Sequence, residues 1–311
     1  MKIAYCISAY KDAAHLGRLI DALDAGDTCF IVHIDKRVKD IEPFRKVVDS
    51  RSNAWLTGER YFVQWGSWAQ VRYQRLFLKE ALNADADRIF IISGQDYPLW
   101  DNDRIRRYCR ENAEQAFVTG LDLTTLTPPL SPMRRFLELY HPLRDIPVCR
   151  RKVYGIVTAS ARTLLKWIGI RRRPYVSIDN NKWDVWQSSG YLSVNRRQAE
   201  YILRWLNDKR ITGYFRHCFV PEEITIPTII FNSPWRNEAR VYEHNAYHGI
   251  ASLAALHYFV YGAQIKVFTT EDYATLIASD RMFCRKVISG ASDELVRLID
   301  EHRRQTEQRF G

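Results

Sequence analysis

The sequence predicts an α/β fold with a mostly parallel central sheet, and two observations carry that reading. Apolar runs of strand length alternate with segments of helical periodicity over the first 120 residues, and three of those strands run into short polar clusters. "KIAYCISAY" is the first strand, and "HLGRLIDAL" then sets Leu16, Leu19, Ile20 and Leu23 at helical spacing. "CFIVHID" is a second strand that breaks into "KRVKD", and "AWLTGERYFVQWG" holds a short strand or two. "SWAQVRYQRLFLKEAL" is an amphipathic helix, and "RIFIISG" is a buried-type strand stopped by "GQDYPL". "DNDRIRRYCREN" follows as a helix whose early acids suit its positive N-terminus. Residues 121–180 lose this rhythm, with "LTTLTPPLSPMRRF" reading as loop. The chain resumes with "SGYLSVN" as a strand and "RRQAEYILRWLND" as a helix. Periodicity leaves "EEITIPTIIFNS" undecided, and "SDELVRLIDEHRRQTEQRF" is a closing amphipathic helix.

The chain has 311 residues, 46% hydrophobic and 26% charged, enough for a large core. No repeat or linker divides it, so one domain over 1–311 is expected. "MKIAYCISAY" reads as an opening strand rather than a signal peptide, and no window is apolar enough to cross a membrane. Cys6, Cys29, Cys109, Cys149, Cys218 and Cys284 are scattered, which points to reduced thiols and a cytoplasmic location. The net charge of +10 is concentrated in three clusters: Arg104, Arg106, Arg107 and Arg110; Arg150, Arg151 and Lys152; and Arg171, Arg172 and Arg173. Such surfaces attract nucleic acid, anionic headgroups or nucleotide phosphates. No nucleic-acid-binding module is visible, so nucleic acid is not expected as a partner. "RTLLKWIGIRRRPY" (162–175) either lies on an anionic membrane or packs as a core helix with a basic end; both readings stay open.

Ligands in open α/β sheets bind beyond the carboxyl ends of the strands, where "SAYKD", "HIDKR" and "SGQDYPL" fall. No dinucleotide fingerprint, P-loop, nucleophile elbow or H-E-x-x-H is present. His33 and Asp35 share a strand face, but two ligands make no metal site, and a structural pair is the simpler reading. Asp96 either caps the next turn or serves a site. Arg285 and Lys286 in "FCRKV" either clamp a diphosphate, Arg by its planar fork and Lys as a point charge, or stand as two surface charges. Glu222 and Glu223 in "VPEEITIPTIIFNS" either face water at an element's start or are held inside to move a proton.

Taken in order, "IAYCISAYKD", "IVHIDKR", "VQWGSWAQV", "IFIISGQDYPL", "SSGYLSVNRRQAEYIL", "VPEEITIPTIIFNS" and "SDRMFCRKV" resemble the core-2/I-branching β-1,6-N-acetylglucosaminyltransferases and the related peptide O-xylosyltransferases, as a bacterial-type member. The resemblance implies a GT-A-like glycosyltransferase with a Rossmann-like, mostly parallel sheet flanked by helices. It implies a nucleotide-sugar half over 1–120 and an acceptor-binding, catalytic half over 121–311. The expected reaction is metal-independent, inverting transfer of N-acetylglucosamine or xylose from a UDP-sugar to a glycan or glycolipid hydroxyl, with no cofactor and no metal ligand. Glu223 matches the general base, leaving Glu222 as a solvated or capping acid. Ser8, Ala9, Asp35, Trp65, Arg285 and Lys286 match the donor side; Gln95, Asp96, Ser188, Ser189, Gly190 and His257 match the sugar and acceptor side. His257 stands where many members carry Arg, which weakens one phosphate contact. Gly190 stands where xylosyltransferase relatives carry an acid, which leaves the donor sugar open. The setting expected is synthesis of a bacterial surface polysaccharide or glycolipid, in the cytoplasm with peripheral contact at the inner membrane face. The alternative is a non-catalytic relative that binds a nucleotide or glycan.

Overall fold

The structure is a computed structural model, and it describes all residues except 129, 131, 132, 134, 146–150 and 311. The apolar runs of the first half form β1 (Ile3–Ala9), β2 (Thr28–Ile34), β3 (Ala54–Leu56) and β4 (Arg88–Ser93). "AWLTGERYFVQWG" thus supplies a single three-residue strand. After β5 (Asp96–Pro98) and β6 (Thr119–Asp122) come β7 (Val176–Ile178), β8 (Asn181–Trp183), β9 (Trp186–Gln187) and β10 (Leu192–Asn195). The last strands are β11 (Arg240–Val241), β12 (His257–Tyr258) and β13 (Phe283–Arg285). The central sheet runs β10-β4-β1-β2-β3, with β1 to β4 paired in parallel and β10 antiparallel on β4. The expected α/β class with a mostly parallel sheet is therefore present.

Side chains alternate across a strand, so each central strand serves two cores. Tyr5, Ile7, Phe30, Val32, Phe90 and Ile92 face one layer, while Cys6, Ile31, Ile89 and Ile91 face the other. The first layer is closed by α1 (Ala13–Leu23) and α2 (Glu42–Asp49), the second by α3 (Ala69–Asn83); α4 (Asn102–Glu111) returns to the first. The helical spacing of Leu16, Leu19, Ile20 and Leu23 is the reason α1 lies where it does, because all four are buried in that layer. Asp12 and Asp101 cap α1 and α4 by accepting from the amides of His15 and Arg104.

Beyond the middle region, α5 (Arg135–Glu138) and α6 (Arg151–Trp167) precede α7 (Arg196–Leu206), which opens with a capping box between Asn195 and Gln198 and packs on the second layer. Then come α8 (Lys209–Phe215), α9 (Thr225–Phe231), α10 (Tyr273–Ala278) and α11 (Asp293–Phe310), the last packing on β5 and β13 through Leu295, Val296 and Ile299. The undecided "EEITIPTIIFNS" is a 3-10 turn, Pro221–Glu223, leading into α9. All of α9 is buried, so it has no polar face and hence no amphipathic period to read.

Phe231 at the end of α9 stacks on Trp186 of β9, with ring centroids 4.2 Å apart, and the Trp186 amide donates to Thr228 Oγ1 at 3.0 Å. Gly120 lies against that Phe231 ring so closely that an added Cβ would fall within it. Gly120→Ala is therefore expected to cost about 3 kcal/mol, at the upper end for overpacking, and to displace the Trp186 stack. Urea unfolding and near-ultraviolet circular dichroism measure the two effects.

The five described cysteines are free and buried. Cys149 and Arg150 lie outside the described residues, as do the side chains of Arg151 and Lys152. Two of the basic clusters are partly structural rather than free surface. Arg106 donates to the carbonyls of Ala25 and Met1, Arg104 pairs with Asp280, and buried Arg172 donates to those of Leu137 and Tyr214.

Candidate functional site

Beyond the carboxyl ends of β1 and β4, a small three-stranded sheet of order β12-β13-β5 collects side chains from distant parts of the chain. Its register sets Arg285 directly opposite Asp96 and His257 opposite Phe283. Asp96 is fully enclosed, and three donors reach its carboxylate: Arg285 Nη1 at 2.9 Å, His257 Nε2 at 3.0 Å and the Ser93 amide at 2.7 Å. Burial alone would push its carboxyl up, but His257 and Arg285 outweigh that and hold it below the ordinary carboxylate range. His15 Nε2 donates to the Asp96 carbonyl at 3.0 Å, which fixes the backbone as well. The result is a rigid mount for Arg285, whose guanidinium lies over the Tyr191 ring at 4.9 Å.

Lys286 follows Arg285 and is half-buried, and its ammonium is pushed below the usual lysine range by burial and by Arg285 and Lys11. Neither Lys286 nor Lys11 forms an ion pair among the described residues. Three cationic side chains thus lie near one another, and Asp96 already engages the Arg285 guanidinium. An excess of positive charge at the strand ends suits a polyanion.

The second group is the turn Pro221–Glu223. It is entered through Val220, a β-branched residue in the left-handed region at φ 44° and ψ 61°. Such a conformation costs on the order of 1–3 kcal/mol and persists only where its surroundings fix it. Glu223 accepts a bond from Gln187 Nε2 at 3.1 Å, and its carbonyl accepts from the Ser188 amide at 2.8 Å. β9 is clamped to α9 by the Trp186–Phe231 stack, so Gln187 is a fixed partner. The Glu223 side chain is mostly buried but keeps some exposure, and burial raises its carboxyl to about 7, partly offset by the Gln187 bond. Glu222 departs from expectation. It is neither solvated nor a surface cap but buried, with its carboxyl well above the ordinary range through burial and the neighbouring Glu223. Glu222 is more enclosed than Glu223, with Tyr73, Gln70 and Gly190 beside it, which periodicity cannot reveal.

The two groups meet at Tyr191. This ring carries Arg285 on its face, and its hydroxyl is pushed up by burial while it feels the charges of Arg285, Asp96 and Glu223. Tyr73 links them a second time, bonding Ser8 and lying within electrostatic reach of Glu222 and Arg285. Gly190 places its Cα hydrogens toward Glu222, where a Cβ would make ordinary contact at 3.8 Å. The Ser188 hydroxyl is buried without a partner, and Ser189 Oγ accepts from the Tyr191 amide at 3.3 Å.

The other expected residues scatter around this pair. Ala9 ends β1, and Gln95 is buried beside Asp96, accepting from the Tyr10 hydroxyl at 3.0 Å while its own amide nitrogen lacks a partner. Asp35 is buried at the end of β2 and is paired with Arg37 at 2.6 Å. His33 does not pair with Asp35; its Nε2 accepts from the Tyr61 amide at 3.0 Å, and burial lowers its pKa to about 4. Trp65 is 58% exposed and meets Phe219 edge-on at 5.2 Å. His257 is buried under Asp96 and stacks on Phe283, so it faces the carboxylate rather than open solvent. Asp96 likewise serves as the mount of Arg285, with no open face for a ligand. Gln187, Tyr191, Tyr73 and Lys11 were not singled out in the sequence. "WQSSGY" and "SAYKD" contain three of them, but nothing local ranks an aromatic or an amide above its neighbours.

Among the described residues no three His, Cys, Asp or Glu side chains converge as a metal-ligand set, and no helix is long and apolar enough to cross a membrane. Clefts elsewhere include one lined by Arg18, Asp101 and Arg303 and another lined by Asp122, Trp186 and His244; neither takes in Glu223 or Arg285.

Residues 3–127 match the model of a family described as Core-2/I-Branching enzyme. Among solved structures, one described as a glucose-1-phosphate thymidylyltransferase from Bacillus anthracis in complex with a sucrose is 11% identical. The match covers 78% of this chain and 86% of that one, with a TM-score of 0.35. A mannose-1-phosphate geranyltransferase from Thermus thermophilus is 16% identical, with 66% of this chain and 61% of that one covered and a TM-score of 0.28. At such scores these two structures carry no argument about chemistry.

Proposed function

We propose, from the match of residues 3–127 to the Core-2/I-Branching enzyme family of glycosyltransferases, that the protein transfers a sugar from a UDP-sugar to a glycan hydroxyl with inversion and without a divalent metal. The observation that carries this reading is the state of Glu223. It is partly exposed, anchored by Gln187, and raised to about 7, the range in which a carboxylate is both available and basic enough to take a proton near neutral pH. In the proposed step the acceptor hydroxyl gives its proton to Glu223 as its oxygen bonds to the anomeric carbon. The bond from that carbon to the diphosphate oxygen breaks on the opposite face, and the electron pair leaves with UDP. Arg285, Lys286 and Lys11 supply the positive charge that the departing diphosphate requires, a task a divalent ion performs elsewhere. Asp96 and His257 hold Arg285 in place for that purpose.

The donor sugar is N-acetylglucosamine or xylose, and the acceptor is a glycan or glycolipid of a bacterial surface assembled at the inner face of the membrane. Turnover of UDP-N-acetylglucosamine or UDP-xylose in EDTA, read as UDP release over a panel of glycan acceptors, tests the reading. An absolute requirement for Mn²⁺ would remove the metal-free mechanism. Lys286→Ala is expected to weaken UDP binding about tenfold, because a half-buried ammonium facing a diphosphate contributes a charge-assisted contact that an exposed surface lysine does not. Titration calorimetry with UDP reads this directly, and an unchanged affinity would count against Lys286 in the donor site.

A further inference from the structure

Helix α6 is amphipathic in the reverse sense for a helix on a water-soluble body. Ile156, Val157, Leu164 and Trp167, with Ile168 just past the helix end, fall within one stripe at 100° per residue, and all five are exposed, Trp167 to 86%. The side carrying Thr158, Ala161 and Arg162 is more covered, and Arg162 lies close enough to depress the buried His141. No described residue of α6 joins any of the hydrophobic cores. The core-packed alternative left open by the sequence is therefore not the one the structure adopts. An apolar stripe turned outward on a helix of 17 residues calls for an occupant.

The charge around the stripe favours one occupant. Between Asp145 and Asp179 the chain has no Asp or Glu, against eight Arg and Lys. Lys166 lies exposed beside Trp167, and exposed Arg171 and Arg173 follow within two turns. Arg172, by contrast, is turned inward onto the carbonyls of Leu137 and Tyr214, which ties the end of this segment to the body. An acid-free apolar helix edged with cations and closed by a tryptophan matches an anionic bilayer, whose acyl boundary takes the stripe and whose headgroups take the basic side chains.

We propose that α6 is an in-plane membrane-docking helix that seats on anionic lipid through Ile156, Val157, Leu164, Trp167 and Ile168. This deepens the reading of the protein as working at a membrane face, but it stands on the helix's own geometry, so its test makes no use of turnover. The full chain is floated with vesicles of phosphatidylglycerol and phosphatidylcholine, and with phosphatidylcholine alone, at low and high salt. Binding to the mixed vesicles is expected to be at least about tenfold tighter than to phosphatidylcholine alone and to weaken with salt. Trp167→Glu and Leu164→Glu, at exposed positions, are each expected to lower it about tenfold or more with an unchanged thermal midpoint, and the pair Lys166→Glu and Arg173→Glu by a similar factor. If turnover fails while flotation succeeds, the chemistry is wrong and the docking stands; the reverse result overturns the docking alone. No flotation, equal binding to neutral vesicles, or full binding by Trp167→Glu would each overturn the proposal. So would a dimer in sedimentation velocity that Trp167→Glu dissolves while vesicles are ignored, since a second copy would then be the occupant.

Discussion

Glu223→Gln is expected to lower turnover by about 10²–10⁴-fold while making the folded protein more stable at pH 8. The two effects have one cause. The site holds Glu223 where its carboxyl titrates at about 7 instead of 4.5. Below the lower value both folded and unfolded chains carry the proton, and the substitution alters little. Between the two, the unfolded chain ionises while the folded one resists, so stability falls as pH rises through that window. Glutamine cannot ionise and escapes this loss, while keeping the shape that Gln187 bonds. The thermal midpoint of Glu223→Gln should therefore match the wild type near pH 4 and exceed it at pH 8. The kcat/KM of the wild type should rise with pH up to about 7 and then level. A variant with lost activity and lost stability at pH 8 would mark Glu223 as a structural acid instead.

Asp96→Ala is expected to destabilise the protein by about 3–5 kcal/mol, the usual cost of stripping a buried charge of its partner. Asp96 is the carboxylate that answers both Arg285 and His257 in the small sheet, and removing it leaves a guanidinium enclosed without a counter-charge and the His257 Nε2 without its partner. UDP binding should weaken by at least about tenfold, because Arg285 is then free to leave its place over Tyr191. Urea unfolding at pH 7 measures the first effect and calorimetry with UDP the second. A midpoint equal to the wild type would show that the three side chains do not act together.

The first half of the fold was legible because each of its elements has one dominant pattern. β1, β2 and β4 are apolar runs, and α1 and α3 carry a clear helical stripe, so type and order followed from periodicity. α9 was not legible, since a short helix buried on all sides looks like a buried strand. Asp96 was visible as a polar residue after a strand, but its pairing with Arg285 depends on a sheet register 189 positions away in sequence. The difference between Glu222 and Glu223 shows the same limit. Adjacent identical residues have nearly identical sequence contexts, and only the packing of Val220, Gln187 and Gly190 around the turn distinguishes the enclosed acid from the partly exposed one.

The register that joins Asp96 to Arg285 also separates two things that usually travel together. The stretch by which the chain is recognised ends at 127, whereas the proposed base and two of the three cations lie between 223 and 286. A chain rewired after the first half would still match over that stretch, and it would keep Asp96 with no cation to hold. Resemblance and the proposed chemistry thus rest on different segments. For any chain that matches over the same segment, a Glu in the later turn and an Arg opposite the Asp are the residues on which the proposed transfer depends.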